Sequence, residues 1–285
     1  AFSSDTLQEA LNAAKEGDTV CLHKDINKSV VLRKAITLDL QGRSISGNGS
    51  CAVYINGVDA KIINGTIKDT TATNGAGIYI SKADVLLENI NVIGNTATGG
   101  WGGGIYAAYS SVTMNNCEVC DNVNTYYGGG IALVGSSLNA DKTTIENNEI
   151  REKVYSTQVG GGIYLHDEDS TLNLKNCNLN ENKACQGGAI YAKGAVTLEN
   201  CSIIGNETSY QGGGIYANAS VTLKECTVTE NKSDSHGGGI FANGIKLSLK
   251  STTFSGNYAN GNGGGIMLSG GSSSAEIADS TFSQN

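Results

Sequence analysis

The side chains in this 285-residue sequence that could carry catalysis or bind metal are 27 acids, eight cysteines and three histidines. Cleaving a glycosidic bond takes clustered acidic residues on neighbouring segments, and a lyase adds a basic residue beside bound calcium. One recurring position runs Asp69, Gly94, Asp121, Asn147, Glu181, Gly205, Glu230 and Gly256. Neutral residues separate its acids, so no cluster of adjacent carboxylates forms in that column. Arg33, Arg43 and Arg151 align with no acidic patch. His166-Asp-Glu-Asp169 offers oxygen ligands for a weak calcium site at Asp167, Glu168 and Asp169, and its plainer reading is a solvated acidic turn. Calcium is the only cofactor suggested. His23 and His236 have no carboxylate or nucleophile at a telling separation.

The cysteines point to packing. Cys117, Cys177, Cys201 and Cys226 hold one repeat position that Ile90, Thr143, Thr252 and Ser280 fill elsewhere, which implies a small buried side chain. Parallel Cβ vectors one strand apart sit wider than a disulfide prefers, so mostly free thiols are expected. Period-two alternation sends Cys117 and Cys120 to opposite faces, which makes this CxxC a poor zinc pair. Cys21, Cys51 and Cys185 have no evident partner.

These positions recur because the chain repeats. Gly-Gly-Gly-Ile-Tyr phrases align Val53, Ile78, Ile105, Ile131, Ile163, Ile190, Ile215, Ile240 and Ile266, at intervals of 25, 27, 26, 32, 27, 25, 25 and 26 residues. A second column closes each phrase with Asn95, Asn122, Asn148, Asn182, Asn206, Asn231, Asn257 and Asn285. Within one repeat, Ile215–Ala217, Val221–Leu223 and Cys226–Val228 alternate with period two, broken by Gly, Asn or Ser. Three short strands in about 25 residues describe one coil of a single-stranded parallel β-helix. The fold class is therefore all-β, with three strands per coil and about nine or more coils, and parallel crossovers make it right-handed. The Asn column belongs at a turn, where amides bond along the stack as a structural ladder.

Residues 1–285 read as one domain, with a cap at 1–17 and coils over 18–285. Thr6 to Glu9 has the form of a capping box, and Leu7, Ala10, Leu11 and Ala14 share a helical face that would cover the first coil. The end at Asn285, with no shielding helix, suggests a fragment of a longer surface protein. The 39 Gly and no Pro favour sheet. A net charge of −8 without a basic run argues against nucleic acid and anionic lipid as partners. No apolar run approaches the roughly 18 residues that cross a bilayer, so membrane insertion by this segment is not expected.

The order of amphipathic helix, GDTVCL, ITLDLQG and then coils resembles the start of proteins in the pectate-lyase-like β-helix superfamily. GGAI at 187–190, FSGN at 254–257 and FSQN at 282–285 resemble the paired motifs of polymorphic outer-membrane protein repeats. That resemblance implies a bacterial surface protein with an adhesin role, placed extracellularly or on the cell surface, and implies no catalytic residue. The pectin-cleaving constellations NTD, DD and RIK are not found.

The residue after each inward Ile points outward and is aromatic at Tyr54, Tyr79, Tyr106, Tyr164, Tyr191, Tyr216 and Phe241, interrupted by Ala132 and ended by Met267. Such a row can stiffen the sheet or accept sugar rings or a protein partner. The candidate binding residues are Tyr79, Tyr106, Tyr164, Tyr191, Tyr216 and Phe241, with Trp101, Tyr126 and Tyr127 in the nearby turns. The longest coil carries insertions at 149–158 and 166–169, where binding also tends to reside. Columns mixing Thr with Asn, and Lys with Glu, lack the regularity an ice-binding face needs. The expected function is a non-catalytic adhesin-like module binding a glycan or a host or microbial protein. The alternative is a polysaccharide lyase or glycoside hydrolase of the same fold.

Overall fold

A computed structural model of the chain describes residues 4–151 and 157–285, with side chains from residue 7 onward. The recurring Ile opens a short strand in every coil, and these strands form a ten-stranded parallel sheet from Val30–Leu32 to Ile266–Ser269. Each member of the aliphatic column, from Val30 to Ile266, pairs in direct register with the next. All but Ile266 are buried, and each contributes about 1.5–3 kcal/mol relative to exposure. The result is a right-handed parallel β-solenoid of about ten turns with three sheets. We call this first sheet the aromatic sheet.

The next two segments of each coil, for example Val221–Lys224 and Thr227–Thr229, lie in one sheet bent along its length. The bend falls where one residue takes left-handed backbone geometry, at Asn64, Asn89, Asn116, Asn176 and Asn200 among others, with φ between 52° and 58° at these five. Asparagine tolerates that region better than most residues. Its side chain also links coils there: Asn89 donates to Asn64 at 3.0 Å, Asn116 to Asn89 at 2.8 Å and Asn200 to Asn176 at 2.7 Å. The third side of the prism is a narrow sheet of segments such as Lys232–Ser233, just after the closing Asn. Two of the strands expected from alternation thus share one side, and the third side comes from a segment too short to alternate.

The closing Asn column is buried from Asn95 to Asn257. Each Nδ2 donates to the Oδ1 one coil further on, at 2.7–3.1 Å from Asn95 through to Asn285. That same Oδ1 accepts the preceding Asn's backbone N–H, as Asn206 does from Asn182 at 2.9 Å. A third bond runs back, as from Asn206 Nδ2 to the Leu179 carbonyl at 2.9 Å. The triple glycine fits against this ladder. A Cβ on Gly130 would sit 2.9 Å from Asn148 Cγ, and Gly128, at φ 70°, holds a turn that L residues seldom adopt.

Helix α1 (Ser4–Ala13) closes the first coil with buried Leu7 and Leu11. Thr6 lies inside this helix rather than at its cap, and its side chain is outside the described residues. Gln8 faces the open edge of the first aromatic-sheet strand. Its Nε2 donates to the Val31 carbonyl and its Oε1 accepts the Val31 N–H, both at 2.9 Å, as a neighbouring strand would. Lys34 Nζ donates to the carbonyls of Asn12 and Ala14, both at 2.6 Å, where a cation favours a helix C-terminus.

Candidate functional site on the aromatic sheet

Outward side chains of the aromatic sheet form the expected row, and its two halves differ. In the later coils Tyr191 and Tyr216 stack with centroids 4.7 Å apart and planes 1° apart, and Phe241 continues at 5.2 Å and 12°. Ring faces at one-coil spacing cover each other, so Tyr216 and Phe241 are only 9% and 5% exposed. Edges, rather than faces, point outward. Burial, then Tyr216, pushes the Tyr191 phenol up to about 12.

In the earlier coils Tyr54 and Tyr79 stack at 5.0 Å, but Tyr79 and Tyr106 meet edge to face at 67°. The next position is Ala132, and aromatics from an adjacent column fill the gap. Four residues before the inward Ile, Trp101, Tyr127, Val159 and Gln186 pair in succession as isolated parallel bridges. Trp101 stacks on Tyr127 at 4.8 Å and lies 6.0 Å from Tyr106 and 5.9 Å from Tyr164. It therefore links the row on both sides of the alanine. Tyr127 stacks on Tyr164 at 5.1 Å, which leaves Tyr164 only 2% exposed. Trp101, Tyr106 and Tyr127 stay partly open and Tyr126 is 40% exposed. Tyr109, absent from the expected set, is 66% exposed with its ring over Gly135. Sequence columns missed it because it occupies a turn with φ 52°, outside both strand periods.

His166 closes one side of this patch. Its Nδ1 lies 3.0 Å from the Tyr164 hydroxyl, and its ring meets Trp101 edge-on at 4.9 Å. Burial, with Lys193 nearby, lowers its proton affinity, and Asp167 opposes that. Asp167 is itself committed to the turn: it accepts from the Ser170 N–H at 2.9 Å, the Ser170 hydroxyl at 2.8 Å and the Gly135 N–H at 2.8 Å. Glu168 and Asp169 are exposed. Among the described residues no three His, Cys, Asp or Glu side chains are grouped to hold a metal ion. Of the 149–158 insertion, residues 152–156 lie outside the described residues.

Elsewhere the structure brings together carboxylates that one column could not show. Glu118, Asp121, Glu146 and Glu181 come from three successive coils, from strand ends and turns. Burial first, then Glu118, Glu181 and Asp121, holds the Glu146 carboxyl above the usual range. All eight cysteines are free, and only Cys21 is not buried. Where the Cys117 position holds Cys, Thr or Ser rather than Ile90, its side chain also donates a hydrogen bond. Cys226 Sγ donates to the Lys224 carbonyl at 3.2 Å, and the Thr143 and Ser280 hydroxyls donate to the matching carbonyls at 3.1 and 2.9 Å.

The stacked columns and three sheets define the class as a right-handed parallel β-solenoid. The chain matches the family model for the right handed beta helix region over residues 30–195 and 184–282, and it belongs to that family. Among solved structures it is similar to a polygalacturonase from Erwinia carotovora ssp. carotovora, at 10% identity over 97% of this chain and 94% of that one, TM-score 0.51. This is a likeness of fold. Geobacillus virus E2 ORF18 aligns at 12% identity over 98% and 58% of the two chains, TM-score 0.46. PfbA, a surface adhesin of Streptococcus pneumoniae, aligns at 10% identity over 98% and 86%, TM-score 0.42. No curated protein matches. Among the described residues no helix is long and apolar enough to cross a membrane.

Proposed function

We propose that this protein is a non-catalytic, adhesin-like β-helix module, secreted or held at a cell surface, that binds a glycan or a surface protein on its aromatic sheet. The observation that carries this reading is the partly open patch of Trp101, Tyr106 and Tyr127, flanked by exposed Tyr109 and Tyr126, where the row breaks at Ala132. Rings that keep an open surface on a rigid scaffold suit sugar C–H faces and apolar protein side chains alike. The likeness of GGAI at 187–190, FSGN at 254–257 and FSQN at 282–285 to surface-protein repeats supports the placement. Glycan and protein arrays test it. Trp101→Ala/Tyr127→Ala should abolish array binding while Tyr191→Ala leaves it intact, and a double variant that binds like wild type removes the patch from consideration.

One observation favours a carbohydrate-active enzyme as a second reading. Glu146, with its raised proton affinity beside three other carboxyl groups, has the environment of a general acid. Release of reducing ends or unsaturated uronate from pectin-type or mucin-type glycans by wild type, and its loss in Glu146→Gln, would establish that reading and displace the first.

A further inference from the structure

The outward face of the bent sheet, between its first strands and the Asn bend, is polarised along the rod. In one column Glu88 lies two coils below Asp141, Lys175 is the residue directly above Asp141, and Lys224 lies two coils above Lys175. In a parallel outward column Asp59 lies three coils below the coil of Asp141 and Lys246 three coils above that of Lys175, so the midpoint between Asp141 and Lys175 is common to both columns. Lys61 in the lower half and Glu199 and Glu276 in the upper half run against this trend, so the half below the midpoint is net acidic and the half above it net basic.

Neutralisation within one chain is incomplete. Lys175 and Lys224 share Glu199, at 3.6 and 2.6 Å, and Lys224 also lies 3.7 Å from Glu225. Glu88 pairs with Lys61 at 2.7 Å and Lys246 with Glu276 at 2.9 Å. Asp59 accepts the Asp84 N–H at 2.8 Å and Asp141 accepts Asn176 Nδ2 at 2.6 Å, and among the described residues neither acid closes an ion pair.

A twofold axis lying along the strand direction, midway between Asp141 and Lys175, lays a second copy on this face with the rods antiparallel. That operation sets Lys175 of one copy over Asp141 of the other, Lys224 over Glu88 and Lys246 over Asp59. Each match occurs twice. No like charges fall directly opposite in the three outward columns, and small Thr and Asn side chains occupy the middle one in the central coils, from Thr113 to Thr222. We propose that two copies of this chain associate face to face through the bent sheet in this antiparallel register. Exposed ion pairs contribute little singly, while complementary potentials fix register and speed encounter. The match of the face to its own reverse is what selects a second copy over an unrelated partner.

Sedimentation velocity on the full chain tests this. The wild type should dimerise at about 20 mM salt and weaken by about tenfold or more at about 500 mM, where screening lengths fall below the reach of the pairs. Lys175→Glu/Lys224→Glu and Glu88→Lys/Asp141→Lys should each be monomeric, and an equimolar mixture should recover the dimer because every reversed charge then meets its opposite. Circular dichroism melts show that each variant is folded, and recovery on mixing cannot come from unfolded chains. A monomeric wild type at low salt, variants that still dimerise alone, or a folded mixture that stays monomeric would each overturn the proposal, leaving this face to another kind of partner.

Discussion

Tyr191, Tyr216 and Phe241 occupy the same row as Tyr106, Ala132 and Tyr164, yet the first trio is an unbroken face-to-face stack and the second has a gap that Trp101 and Tyr127 fill from the turn. The backbone pairing is equivalent, with each residue in register with the next coil. One small side chain makes the difference. Where every coil supplies a ring, faces are consumed by neighbours and only edges remain. At Ala132 Trp101 and Tyr127 reach across from the turn, stacked on each other, with Trp101 tilted against Tyr106 and Tyr164 and both rings partly uncovered. A regular repeat therefore builds a surface feature by omission, with the scaffold beneath unchanged.

Removing the closed stack should have the largest effect. Tyr191→Ala/Tyr216→Ala is expected to lower unfolding free energy by about 4 kcal/mol or more in denaturant titrations, since Tyr216 is buried and Tyr191 partly so, without loss of array binding. Loss of binding would erase the functional contrast between the two regions. Asn122→Ala and Asn206→Ala come next and compare the interiors beneath them. Each strands several buried groups at about 1–3 kcal/mol apiece, so the two should lose similar stability. A marked inequality would mean that the regions differ inside as well as outside. Filling the gap with Ala132→Tyr should destabilise by about 1–3 kcal/mol, because Trp101 and Tyr127 already occupy the space, and Trp101→Ala should recover part of that loss.

The smallest effect concerns pH. The Tyr191 pKa is raised to about 12 in the folded chain, so its contribution is fully present below the unfolded phenol value near 10 and is lost as pH rises through about 12. Tyr191→Phe should flatten the fall in stability across that window. An unchanged slope would show that the stack does not shield this phenol.

Much of the solenoid was legible because Ile, Asn and aromatic residues recur at intervals that only stacked coils explain. The inward register of Val53 through Ile266 followed directly. The bend at Asn116 and its equivalents was not legible, since left-handed geometry leaves the period-two pattern on both sides intact. The narrow sheet escaped notice because Lys232–Ser233 is too short to show a period. At the site, outward direction could be read from alternation, whereas the burial of Tyr164 could not: it depends on Tyr127, a turn residue from another coil. The grouping of Glu146 with Glu118 and Glu181 was hidden for the same reason, as its members come from different positions of the repeat.

Each closing asparagine presents an acceptor to the coil before it and a donor to the coil after it, so any one rung can face any other. Excising residues 207–231 would bring Asn206 against Asn257 with the hydrogen-bond pattern unbroken. Gene duplication or loss of one repeat could thus lengthen or shorten the molecule in steps of about 4.8 Å, adjusting reach without redesigning the interior.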